Sequence, residues 1–127
     1  MKIKSIIALL FISSAFLLMS ASCNRYDRQL KSFEKSVTKL EQNYQHYSPQ
    51  KLMKSIRQCE NQIMKLDSHK DKLTLQQKQE CLTQKVLYTK LLVQIKVHLM
   101  TVDWGYEVVE DIRQFINKCL SELDKLF

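Results

Sequence analysis

An all-α protein, an up-down four-helix bundle behind a lipoprotein signal peptide, is what the 127-residue sequence predicts, and three observations carry the bundle. The chain has one glycine and one proline, Gly105 and Pro49, too few turn residues for the hairpins of a multi-stranded sheet. Its apolar residues recur in alternating steps of three and four over long segments, which is the period of one helix face. Helix start and stop signals stand where that period breaks, at Ser48-Pro49, at Thr74 and at Gly105.

The first segment sets the address. Lys2 and Lys4 precede an apolar run from Ile6 to Met19 that only Ser13 and Ser14 interrupt, and the small residues Ser20, Ala21 and Ser22 lead into Cys23. A basic start, a short apolar core and a small-residue cleavage site make a secretory signal peptide over residues 1–22. The apolar core falls short of the roughly 20 residues needed to cross a bilayer. A cysteine directly after the small residues is the arrangement of a bacterial lipoprotein, in which the thiol is diacylated and becomes the first residue of the mature chain. Cys23 is therefore the expected lipidation site, although Ser20 stands where such signals prefer Leu. The competing reading is an ordinary secreted protein in which Cys23 is merely the first of four cysteines.

Removal of 22 residues from 127 leaves 105, residues 23–127, the length of a single helical domain that can bury about two-thirds of its unfolded surface. Loss of Lys2 and Lys4 leaves 18 Lys and Arg against 13 Asp and Glu, a net charge of +5. Residues 24–100 carry 15 basic and 7 acidic side chains, residues 101–127 carry 3 and 6. Export removes nucleic acid as a partner for that basic charge. Anionic lipid, lipopolysaccharide or an acidic protein surface remain, beside the plain reading that scattered lysines solvate helix faces.

Helix one follows from Tyr26, Leu30, Phe33, Val37, Leu40, Tyr44 and Tyr47, which alternate steps of four and three. Ser48-Pro49 ends it and begins the next helix, because the residue before proline is pushed out of the helical region while Ser caps and Pro suits the first helical position. Helix two runs from Pro49 to about His69 on Leu52, Ile56, Cys59, Ile63 and Leu66, with Met53 and Met64 widening the stripe. The polar run from Asp67 to Lys72 breaks it, and Thr74 with Gln77 reads as a capping box for helix three. That helix carries Leu82, Val86, Leu87, Tyr88, Leu91, Leu92, Val93, Ile95, Val97, Leu99, Met100 and Val102, more apolar surface than one partner can cover. It is expected to be the central, most buried element. Asp103-Trp104-Gly105 interrupts it, with Gly105 read as a terminator in the left-handed conformation. Helix four continues on Val108, Val109, Ile112, Phe115, Ile116, Cys119, Leu120, Leu123, Leu126 and Phe127. The alternative is three helices, the third long and kinked from Thr74 to Phe127.

The run Leu30-Lys-Ser-Phe33-Glu-Lys-Ser-Val37, with Glu41-Gln-Asn-Tyr44, Tyr47-Ser48 and Lys72-Leu-Thr74-Leu-Gln-Gln77, resembles the small helical envelope lipoproteins of unknown function from Bacteroidota. The likeness covers roughly residues 24–90. It implies a bacterial envelope lipoprotein and contributes no catalytic residue. In such lipoproteins acidic residues just after the cysteine direct the protein to the cell surface. Asn24-Arg25-Tyr26-Asp27-Arg28 is mainly basic, so the expectation is an outer-membrane lipoprotein facing the periplasm.

The chemistry of catalysis is sparse. His46, His69 and His98 are not paired at metal-ligand spacing, and there is no His-Glu-x-x-His, Cys-x-x-Cys or glycine-rich phosphate loop. No metal and no cofactor is expected. Glu107, Glu110 and Asp111 suit the dipole at the start of helix four. Trp104 and Tyr106 form the candidate recognition patch, against the alternative of an aromatic plug at the bundle end. Cys59, Cys81 and Cys119 remain, an odd number in an oxidising compartment. They are either buried small hydrophobes or one bridge plus a free thiol. Reflection about turns near residues 72 and 104 keeps Cys81 from Cys119 and leaves Cys59 as the common partner, so a bridge, if formed, is expected between Cys59 and Cys81, on consecutive helices, ahead of Cys59 with Cys119. The function expected is a lipid-anchored, non-catalytic interaction protein that binds an unidentified envelope protein in an accessory, chaperone-like or immunity-type role. A small-ligand carrier or enzyme with a cavity in the bundle is the alternative, and polar residues on the apolar seams would be its mark.

Overall fold

Capping chemistry places the helix boundaries. The computed structural model describes residues 25–127; residues 1–24, and with them the expected signal peptide and lipidation site Cys23, lie outside the described residues. Helix α1 spans residues 25–43, after which a 3₁₀ turn, Tyr44–His46, carries the chain to Ser48. Ser48 Oγ accepts the Lys51 N–H at 3.2 Å, and α2 runs Pro49–Ser68 with Pro49 in its first turn. A second 3₁₀ turn, Lys70–Lys72, leads to Thr74. There the capping box forms in full: Gln77 N–H donates to Thr74 Oγ1 at 3.1 Å and Thr74 N–H to Gln77 Oε1 at 2.9 Å, opening α3, Leu75–Leu99. Helix α4, Tyr106–Leu123, follows after a break at 100–105. Among the described residues the molecule is all-helical, with four α-helices and no strand. The long kinked third helix is thereby excluded.

Gly105 works differently from the expectation. Helix α3 closes on its own turn, with Met100 and Thr101 N–H donating to the Val97 and His98 carbonyls. Gly105 instead caps the start of α4, at φ +88° and ψ 152°, backbone that side chains resist. Its role is to re-aim the chain into α4.

Contacts at the two ends fix the directions. Tyr44, His98 and Trp104 meet at one end, with ring centroids 5.4 Å and 6.2 Å apart. At the other, Tyr26 packs on His69 at 5.6 Å, Gln77 Nε2 donates to Asp27 Oδ1 at 2.9 Å, and the Phe127 N–H donates to Asp67 Oδ1 at 2.9 Å. The helices therefore alternate up and down. Helix α4 packs closely on both α2 and α3, while α2 and α3 make no comparably close approach. Helix α1 joins the other side of the ring through Ser32 to Gln62, 3.1 Å, and Phe33 edge-on to Tyr88. Consecutive helices α2 and α3 thus face each other across the core.

A single core draws on every helix. Leu30, Phe33, Val37 and Leu40 of α1, Leu52, Ile56, Ile63 and Leu66 of α2, Leu91, Leu92, Ile95 and Leu99 of α3, and Ile112, Ile116 and Leu123 of α4 are all buried. Met64, expected to widen the stripe of α2, faces solvent.

Candidate functional site: the outer face of the third helix

Helix α3 has two apolar faces, and the bundle covers only one. Cys81, Tyr88, Leu91, Leu92, Ile95 and Leu99 point into the core. On the opposite side Leu75, Leu82, Val86, Val93, Val97 and Met100 are exposed, from 43% for Leu82 to 84% for Met100, while Leu87, 44% exposed, lies off this row. With Gln79 and Thr89 in the intervening places, these positions follow steps of four, three, four, three, four, four and three. That is a seam of the kind one helix offers another. Helix α3 does contribute more buried residues than α2 or α4, yet it is not central: in a bundle around a single core, each helix shows its back to solvent. An apolar stripe running the length of a helix of about 37 Å is unusual on a protein that meets only water.

Lysines border the seam. Lys78 and Lys96 lie along one edge and Lys90 along the other, while Lys85, farther round, donates its Nζ to the Leu126 carbonyl at 2.9 Å. No acidic side chain of α3 lies beside the stripe; Glu80, the helix's one carboxylate, falls well round the helix from it. Of these lysines none takes part in an ion pair among the described residues, where the pairs are Lys70–Asp67 and Arg113–Glu110. A second basic row, Arg28, Lys31, Lys35 and Lys39, runs along the back of α1 without apolar residues between its members.

The residues singled out in the sequence do not converge. Trp104 is half-buried against the core and closes the bundle end beside His98, whereas Tyr106 is 82% exposed. Cys59, Cys81 and Cys119 are buried free thiols, so the Cys59–Cys81 bridge is not formed in this structure. Its premise was that helices consecutive in sequence are close neighbours; here α2 and α3 stand on a diagonal of the bundle, meeting across the core through Tyr88 and Glu60, and α4 packs on both. Burial pushes the Cys59 and Cys119 thiols up to about 12, with the Glu60 carboxylate adding to it, and Cys81 up to about 11.

One buried polar group escaped the sequence reading. Glu60 is 7% exposed, and its Oε2 accepts the Tyr88 hydroxyl at 3.0 Å across the core, with the Ile56 carbonyl 3.4 Å from the same oxygen of Tyr88. Its Oε1 is buried without a hydrogen-bond partner. Desolvation raises the Glu60 pKa, and the Tyr88 hydroxyl and Cys119 thiol beside it offset only part of that rise. The sequence signal was present but faint: Glu60 follows the seam residue Cys59 and lies four residues beyond Ile56, on the margin of the buried face.

Elsewhere, an open groove between α2 and α4 is lined by Met53, Arg57, Asn61, Val108 and Ile112, with the Arg57 guanidinium 5.5 Å from the centre of the Phe115 ring. Among the described residues no three His, Cys, Asp or Glu side chains come together to hold a metal ion, and no helix is long and apolar enough to cross a membrane.

Comparison of the chain with models of protein families, with curated proteins and with solved structures finds no match.

Proposed function

We propose that this chain is a lipid-anchored, non-catalytic interaction protein of the bacterial envelope, held in the outer membrane through Cys23 and facing the periplasm, with the outer face of α3 as its surface for another envelope protein. The observation that carries the reading is that face: six apolar side chains at helix-seam spacing, on a helix whose other side already completes the core. The anchor rests on the signal segment and on the residue that follows it. Asp27, near the start of the described chain, is tied to Gln77 at the start of α3, so the end of the bundle at which α1 begins is also the end that carries Leu75. The seam then rises from the membrane side toward the periplasm, within reach of a neighbouring protein.

Two experiments test the parts separately. Membrane fractionation of Cys23→Ala should release the protein from the membrane, and retention there would remove the anchor. A photo-crosslinking amino acid at Val93 in living cells should trap a defined protein that the same probe at Lys35, on the back of α1, does not trap. Equal trapping at both positions would remove α3 as the binding surface.

A further inference from the structure

We infer that the partner presents to α3 an amphipathic helix whose apolar seam is bordered by Asp and Glu. This rests on the reading of the α3 face as the protein's binding surface and specifies what that surface fits. Three observations select this occupant. The first is spacing: alternating steps of four and three match the knobs and holes of a facing helix, with Val86 and Val93 at one seam position and Leu75 and Leu82 at the other. β-branched residues at the first and Leu at the second favour contact with one partner helix over larger clusters.

The second observation is charge. Lys78, Lys90 and Lys96 border the seam with no carboxylate between them on that face. A second copy of this chain seated seam to seam would set lysine against lysine along the borders. Carboxylates on the borders of the facing helix give each lysine a counter-charge.

The third observation is the make-up of the apolar face itself. It contains Leu, Val and Met and no aromatic residue, whereas helices that lie in a bilayer interface carry Trp, Phe and Leu on the buried side. It is also one seam wide. A facing helix fills such a stripe, and a lipid surface would wet the polar residues beside it.

The test uses the full chain reconstituted in phosphatidylcholine nanodiscs, so that lipid charge does not compete, and two synthetic 28-residue helical peptides with the same Val/Leu seam. One carries Glu on both borders and the other Lys. The Glu-bordered peptide should bind, by fluorescence anisotropy, at least about tenfold more tightly than the Lys-bordered one, a difference of about 1.4 kcal/mol. In the variant Lys78→Glu/Lys90→Glu the preference should reverse, while Val86→Asp should abolish binding of both peptides with the circular dichroism spectrum unchanged. Equal binding of the two peptides, or no reversal in the charge variant, overturns the inference. So does a stable dimer of the wild-type chain that Val86→Asp dissociates. A bimane label on Val93→Cys that brominated phospholipid quenches would also overturn it, placing the face on lipid instead. Should the Val93 photo-crosslink still trap one protein while both peptides fail to bind, the acidic helix is wrong and the binding surface stands.

Discussion

The thiols of Cys59, Cys81 and Cys119 sit in apolar surroundings that disfavour the thiolate, the form that reacts. In the folded protein at pH 8 all three should therefore resist a thiol-specific disulfide reagent for hours and react within minutes in 6 M guanidinium, which a colour assay reads directly. Rapid modification of any of them in the native state would place that residue at the surface. Glu60 carries the converse problem, a carboxyl kept in a place that disfavours its charge. Because its folded pKa is raised, the stability it contributes is complete below the unfolded value near 4.5 and is lost as pH climbs through the folded value. Comparing the wild type with Glu60→Gln by urea unfolding should show the stability difference moving in favour of the wild type between pH 7 and pH 4. Glu110, whose pKa the Arg113 hydrogen bonds lower, has the opposite sign but is common to both proteins and cancels. Gly105 is the third residue whose chemistry is local. A Cβ there meets nothing within 4 Å, so Gly105→Ala should cost about 1–3 kcal/mol through backbone strain alone, measurable as a lower urea midpoint with an unchanged slope.

At the scale of elements, α3 is the informative one because its two faces answer to different demands. Leu92 is fully buried and Val93, its neighbour in sequence, is half exposed. Leu92→Ala should cost about 2–5 kcal/mol, the usual result of emptying a packed core, while Val93→Asp should change stability by no more than about 0.5 kcal/mol and act only on binding. Similar losses from both substitutions would mean that the outer face is covered within the monomer. The capping box at its start does double duty: Gln77 closes the Thr74 cap and reaches Asp27 of α1 with its amide. One polar side chain thereby sets both where α3 begins and how it meets α1.

In the molecule as a whole, four helices share a single core and both ends are closed by their own contacts, aromatic at the Trp104 end and hydrogen-bonded at the Asp67 and Asp27 end. Cooperative unfolding follows, since no helix has a core of its own to retain. Fluorescence of Trp104, the one tryptophan, and far-ultraviolet circular dichroism should trace coincident urea transitions. A Trp104 transition well ahead of the helical signal would show that the closed end opens separately. The ring order, with α4 packed on both α2 and α3, also removes the premise of the Cys59–Cys81 pairing, that α2 and α3 are close neighbours because they are consecutive.

What the sequence determined by itself is what depends on residues close together along the chain. The helical period, the Ser48-Pro49 start, the Thr74–Gln77 box and the interruption before α4 are local properties, and each is found where the pattern placed it. The seams of α1, α2 and α4 were equally legible, because each has one apolar side and so one way to face a core. Helix α3 has two apolar sides, and composition alone could not say which the bundle would take; only packing against α1 and α4 left Leu75, Leu82, Val86, Val93, Val97 and Met100 outside. The same holds for Glu60, whose burial depends on Tyr88 reaching across from another helix, and for the cysteines, whose separations depend on which helices become neighbours. Periodicity fixes the angle of a side chain about its own helix axis, and only the assembled bundle decides what stands at that angle.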